Sequence, residues 1–165
     1  METILSENTS GITIEERNIA VLAHASILLT FLLAVTIGGL GTLLATLIPL
    51  FMWLYYRGRS TYIAYHALQA TCYQAALLLL FLALGGVLGL ILAAVWVVTI
   101  LLIMVVVGLV LVPIAALLTL LAALILAVVP LGGLAYGLIA AWEVYNHRNF
   151  RYRWIADWLE ARLPA

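Results

Sequence analysis

Arg57 to Gln74 reads RGRSTYIAYHALQATCYQ, and the reading of this stretch decides the fold. It is the one dense run of polar and charged side chains between two long apolar blocks. Outward from it toward the N-terminus, no charged residue lies between Arg17 and Arg57. In the other direction, none lies between Arg59 and Glu143. One bilayer crossing takes about 20 residues, so the first block holds about two crossings and the second is about four times one crossing in length. The 165 residues are 67% hydrophobic and 8% charged, whereas a soluble domain carries about 25% charged residues. A chain this short cannot hide so much apolar surface in a single core. The sequence therefore specifies an all-α integral membrane protein.

Composition excludes other classes. Seven arginines balance seven carboxylates, so no basic surface is available for nucleic acid, and no nucleic-acid partner is expected. The single cysteine, Cys72, rules out an intramolecular disulfide and any paired-cysteine metal or redox motif. Residues 1–14 lack periodicity and are expected to form a flexible polar tail, with a transmembrane helical domain over 15–147 and an interfacial amphipathic segment over 148–165. The start lacks the basic run of a secretory signal, so the apolar stretch from Asn18 is expected to be a retained span. Thr13 followed by Glu16 has the spacing of a capping box, in which each side chain satisfies the other residue's backbone N–H. The first helix should therefore begin near Ile14.

Gly38, Gly39 and Gly41 divide the first apolar block where a tight turn costs least. Spans near 18–37 and 41–56 follow, with Trp53, Tyr55 and Tyr56 at the interfacial end of the second. Thr42, Thr46, Pro49, Trp53 and Arg57 recur at helical spacing and read as a packing face. The second block gives spans near 62–92 and 114–146 and leaves 93–113 unassigned. That piece is too apolar for a water-exposed loop, so it prolongs the helices, lies at the interface or forms a further hairpin. The fold class is a bundle of about four transmembrane helices, with room for five or six, followed by a C-terminal amphipathic interfacial helix. In that last helix Trp154, Ile155, Trp158 and Leu159 are expected on one face, with Arg153 pairing Asp157 on the other. Gly85-x-x-x-Gly89 and Gly133-x-x-x-Gly137 have the spacing that lets two helices approach closely.

Arginines collect on the cytoplasmic side of a membrane. Arg57 and Arg59 lie in one turn, and Arg148, Arg151 and Arg153 follow the last span, so an even number of spans is expected between them. Both termini and the Arg57–Ser60 loop are then cytoplasmic, in a multi-pass protein of the cell (plasma) membrane. With that topology the polar side chains converge at one end: Arg17, His24, His66, Gln69, Gln74, Glu143 and His147. Ionisable groups in a membrane are costly and face the bundle interior. Two readings of this cluster stand beside each other. In one, histidine and carboxylate hydrogen bonds hold helices together; in the other, His24, His66 and Glu143 bind a cation or pass protons. No His-x-x-x-His or Glu-x-x-His pair exists, so no metal and no cofactor is expected. No arranged nucleophile and base is visible, and the chain is not expected to be an enzyme.

Several strings also resemble a known family. ERNIAVLAHASILL, IPLFMWLYYRGRSTYIAYHALQATCYQ and FRYRWIADWL are similar to a bacterial membrane-protein family of unknown function related to the small channel-type subunit of the chloroplast inner-envelope (Tic) translocon. The likeness rests on Glu16, Arg17, His24, Pro49, Leu50, Trp53, His66, Gln69, Gln74, Phe150, Arg151 and Tyr152. Arg153 stands where a proline is usual, and the piece between His66 and Phe150 is longer than in that family. The resemblance implies a four-helix membrane protein with both ends in the cytoplasm.

The function expected is that of a small, non-enzymatic membrane protein, a subunit or assembly factor of a larger complex. Its partners are then the lipid bilayer and other membrane-protein subunits or further copies of itself. The alternative is a channel or translocon-like conduit for polypeptide or ions through the polar half-cavity.

Overall fold

The computed structural model describes residues 11–161, in five helices with no strand among them: α1 (Ile14–Ile37), α2 (Gly39–Tyr56), α3 (Thr61–Ile103), α4 (Val107–Tyr145) and α5 (Arg153–Glu160). α1, α3 and α4 are long and apolar enough to cross a membrane, and α2 is a shorter apolar helix. The tail expected over 1–14 lies largely outside the described residues. The chain divides into two compact units, one joining Met1–Ala76 with Gly133–Ala165, the other formed by Leu77–Gly132.

The first unit opens with the expected capping box. Glu16 N donates to Thr13 Oγ1 at 3.1 Å, and Thr13 N donates to Glu16 Oε2 at 3.1 Å. α1 then buries Arg17, Ala20, Ala23, His24, Ser26, Ile27 and Thr30, a stripe at three- and four-residue spacing. Four of its five leucines, Leu22, Leu28, Leu29 and Leu32, point outward. Polar and small residues inside with aliphatic residues outside is the reverse of a soluble helix and suits a lipid surround. α1 ends at Gly38, whose φ of 76° only glycine adopts without cost. A Cβ at Gly41 would lie 2.5 Å from the Leu33 carbonyl oxygen, so α1 and α2 pack backbone to backbone as a tight hairpin. Of the Thr42, Thr46, Pro49, Trp53 and Arg57 stripe, Pro49 is buried, Thr42, Thr46 and Trp53 are half-buried and Arg57 is exposed, and Met52 and Trp53 pack on Ala23, Ala67 and Ala70.

Arg57 and Arg59 are each laid over an aromatic ring of the preceding turn, Trp53 at 5.6 Å and Tyr55 at 4.0 Å. Ser60 ties two helix starts together. Its hydroxyl donates to Glu16 Oε1 at 2.7 Å and accepts from Ile63 N at 3.3 Å. Gly137 brings α4 against α1, where a Cβ would lie 2.8 Å from Ile27 Cγ2. Gly133 accepts from the Tyr73 hydroxyl at 3.0 Å.

The second unit is an aliphatic helical hairpin. Residues 93–113 do not form separate elements: they prolong α3 and start α4, with a turn at Met104–Val106. Gly108 sits at the closest approach, where a Cβ would be 2.2 Å from Ile103 N and 2.4 Å from Thr99 O. Trp96 Nε1 donates to Thr119 Oγ1 at 3.0 Å across the pair. Gly89 meets nothing and Gly85 only a leucine methyl at 3.8 Å, so among the described residues the Gly85-x-x-x-Gly89 spacing does not mark a close helix approach.

Candidate functional site

The polar residues of the first unit gather where α1, α3 and α4 meet the segment after α4. α4 closes at this end in a Schellman turn. Arg148 N donates to Glu143 O at 2.9 Å, His147 N donates to Val144 O at 3.2 Å, and His147 takes the left-handed conformation, φ 64°. Glycine usually fills that position. Histidine fills it here because Arg17 Nη1 donates to His147 Nε2 at 2.8 Å, giving the buried guanidinium an acceptor.

Beyond the turn, Phe150–Tyr152 runs back over the bundle and α5 follows. Tyr152 is buried and held on every side. Its backbone N–H donates to Gln69 Oε1 at 3.0 Å, and its ring stacks on Tyr73 with centroids 4.2 Å apart and planes 10° apart. Its hydroxyl meets His24 Nδ1 at 3.3 Å. His24 Nε2 in turn meets His66 Nδ1 at 3.1 Å. One proton assignment with both rings neutral serves this run: Tyr152 O–H donates to His24 Nδ1, His24 Nε2–H donates to His66 Nδ1, and His66 carries its proton on Nε2. Asn149 reaches toward the His66 ring without closing a bond of good geometry on Nε2, and Gln69 Nε2 is likewise buried without a partner. Burial pushes the Tyr152 phenol well above its ordinary value because the phenolate would lose its hydration.

Gln74, one turn deeper, belongs to a separate closed circuit. Its Nε2 donates to Ser26 Oγ at 2.8 Å, its Oε1 accepts from Thr30 Oγ1 at 2.9 Å, and Ser26 Oγ donates onward to Ala23 O at 2.7 Å. Glu143 does not join His24 and His66. It faces outward to Arg148 at 3.1 Å, where the Schellman turn returns the chain past it.

The last helix departs from its sequence expectation in two ways. Asp157 pairs with Arg151 at 3.4 Å, not with Arg153, and Arg151 also holds Glu160 at 2.7 Å. Burial pulls the Arg151 guanidinium down, but Glu160, Tyr65 and Asp157 outweigh it and the net shift is upward. Tyr65 donates from its hydroxyl to Glu160 Oε1 at 2.8 Å, fastening α5 to α3. The expected single apolar face is also divided. Ala156 and Leu159 are buried against the bundle, while Trp154 is 87% and Trp158 50% exposed.

Of the seven residues singled out from the sequence, Arg17 and His147 meet each other, as do His24 and His66, and Gln69 joins through Tyr152. Gln74 and Glu143 lie apart. Tyr73 shares the His66 and Gln69 side of α3 by helical spacing; Tyr65 and Asn149 are not among the residues the sequence singles out, and Tyr152 enters there only through the Phe150–Tyr152 string. Its signal was a run of ring side chains directly after a charged turn.

Helices that bury a few mutually bonded polar side chains and turn their leucines outward make this a small helical membrane protein. The family model of the MamF/MmsF proteins, the magnetosome magnetite crystal formation protein family, matches residues 15–159, and the chain belongs to that family. No curated protein and no solved structure matches it. The resemblance to a bacterial membrane family holds at that level; the link to the Tic translocon subunit is not shown.

Proposed function

We propose that this chain is a non-enzymatic subunit or assembly factor of a membrane complex that shapes the formation of magnetite crystals. The observation that carries the reading is the family match across residues 15–159. An organising role is supported by the polar contacts that tie the start of α1, the turn before α3 and the end of α4 together. Hard iron ions and oxide surfaces favour carboxylate oxygens, and most of the described carboxylates are engaged. Glu16 holds Thr13 and Ser60, Glu143 holds Arg148, and Asp157 and Glu160 hold Arg151. No observation favours the conduit alternative.

The same reading puts α5 in the headgroup layer. Its aliphatic half lies against the bundle and its outward indoles, Trp154 and Trp158, are amphipathic anchors of the kind enriched at that depth. It also keeps the termini and the Arg57–Ser60 turn on the cytoplasmic side of the cell membrane or of a membrane derived from it.

The test is complementation in a magnetosome-forming bacterium deleted for its own family member. Expression of this chain is expected to restore crystal size in electron micrographs, and a Tyr152→Ala chain is expected to restore it less. Crystals that stay as in the deletion strain, with the protein inserted at normal level, would overturn the magnetite reading. A chain that runs alone in native mass spectrometry from mild detergent would overturn the subunit reading.

A further inference from the structure

We propose that the C-terminal strap, residues 146–160, is exchangeable, and that two copies of this chain join by each seating its strap in the other's socket. The proposal names a partner within the complex inferred above and rests on that reading.

The strap belongs by its contacts to α1 and α3 rather than to α4, which carries it. Its polar anchors are His24 on α1 and Gln69 and Tyr65 on α3. The face on which Tyr152 stacks is Tyr73, also on α3. α4 adds the edge of Tyr136, 5.6 Å from the Tyr152 centroid and 5.7 Å from that of Phe150, and, at the turn itself, Glu143 against Arg148 at 3.1 Å. A second copy offers the same socket, so every one of these contacts is reproduced when straps are traded, and only the connecting turn changes. This is the condition under which swapping of an element between protomers costs little.

The connecting turn is poised for the change. His147 is a non-glycine residue in the left-handed region, φ 64°, a conformation that L side chains adopt only at a cost. Moved to extended backbone, it sends the chain away from its own bundle. What holds it closed is the bond from Arg17 to its Nε2 at 2.8 Å, with the two Schellman bonds and the Arg148–Glu143 pair. An empty socket is not a third choice, because it would leave the tyrosine and glutamate contacts unmade and expose Ala156 and Leu159. Confinement of both copies to one membrane raises the chance that a released strap meets a neighbour's socket.

The experiment exploits the backbone. His147→Val and His147→Gly both remove the Arg17 acceptor, but valine resists the left-handed turn and glycine welcomes it. In a Cys72→Ser background, one tagged chain carries Tyr65→Cys and a differently tagged chain carries Glu160→Cys. The two are co-expressed, reconstituted in lipid vesicles and treated with a short bismaleimide. Cross-links between the two tags are expected, roughly ten-fold more with His147→Val than with His147→Gly, and they form to the same extent when the vesicles are diluted by fusion with excess lipid before the reagent is added. A chain carrying both cysteines that links only within itself, with no link between tags in either variant, overturns the proposal. So does a yield of links between tags that falls when dilution precedes the reagent, since that marks collision. Native mass spectrometry of the His147→Val and His147→Gly chains without added cysteines reads the same difference as a dimer share, and equal shares overturn the proposal even if the cysteine pair disturbs the strap. Other subunits copurifying with a chain that never trades straps would leave the broader reading of function standing.

Discussion

Tyr152 serves three contacts with one side chain and one amide: a stacked ring, a hydroxyl on His24 and a backbone N–H on Gln69. Tyr152→Phe keeps the stack and the backbone bond but leaves His24 Nδ1 buried without its donor. The cost of such an orphaned group is about 1–3 kcal/mol, read as a lower midpoint of thermal unfolding in detergent. The same pair of proteins carries a pH signature. Burial raises the folded phenol, whereas the unfolded one ionises near pH 10, on the order of the free side chain. Above that pH the unfolded chain has lost a proton that the folded chain keeps, so stability falls as pH rises, by up to about 1.4 kcal/mol per unit from this one group. The slope beyond pH 10 is expected to be steeper for the native protein than for Tyr152→Phe, and identical slopes would refute the assignment. The cluster was legible in the sequence as polar residues in apolar runs, since each needs a reason to be there. Of its pairings, His24 with His66 was legible, and Arg17 with His147 was not. Glu143 was expected to meet the histidines, but the Schellman turn at His147 supplied Arg148 first.

Helix starts were legible wherever a side chain caps a backbone, as at Thr13 with Glu16, and helix ends wherever glycine permits the turn, as at Gly38. The turn at Met104–Val106 had neither signal. It contains no glycine or proline, and Val106, a β-branched residue, takes φ 68°, so nothing in its composition distinguishes it from the helices on either side. The glycine that matters lies just after it. Gly108 lets α4 start against the backbone of Thr99 and Ile103, and the contacted atoms are main chain, which cannot give way as a flexible side chain can. Gly108→Ala is expected to destabilise the hairpin by more than about 2 kcal/mol, the upper range of overpacking. Gly89→Ala, which adds a methyl to open space, is expected to be neutral or to gain up to about 1 kcal/mol from helix propensity. Urea or heat unfolding of the two variants in one detergent measures the contrast. If Gly89→Ala were the more damaging of the two, the hairpin packing would be wrong.

At the scale of the whole molecule, the first unit carries its polar groups at one end. Glu16 bonds Ser60, and Arg17 bonds His147, so the start of α1, the turn between α2 and α3 and the end of α4 are drawn together. An even number of crossings between the arginine pair at 57 and 59 and the arginines after Tyr145 is expected from charge; if the bilayer of about 30 Å is crossed by these helices, residues within hydrogen-bonding distance of one another share a side, and the topology then predicts one side for both turns. Which side they face is set by the arginines, and the excess of Arg at this end predicts the cytoplasm. In a Cys72→Ser background, Gly58→Cys and Asn146→Cys place thiols on exposed positions of the two turns. A membrane-impermeant maleimide is expected to label neither in sealed right-side-out vesicles and both in inverted ones. Labelling of one position from each side would break the even-crossing topology and, with it, the Arg17–His147 contact. Labelling of both from outside would leave that contact intact and reverse only the orientation, showing that the cation–π stacking of Arg57 and Arg59 on Trp53 and Tyr55 had weakened the arginines as topological signals.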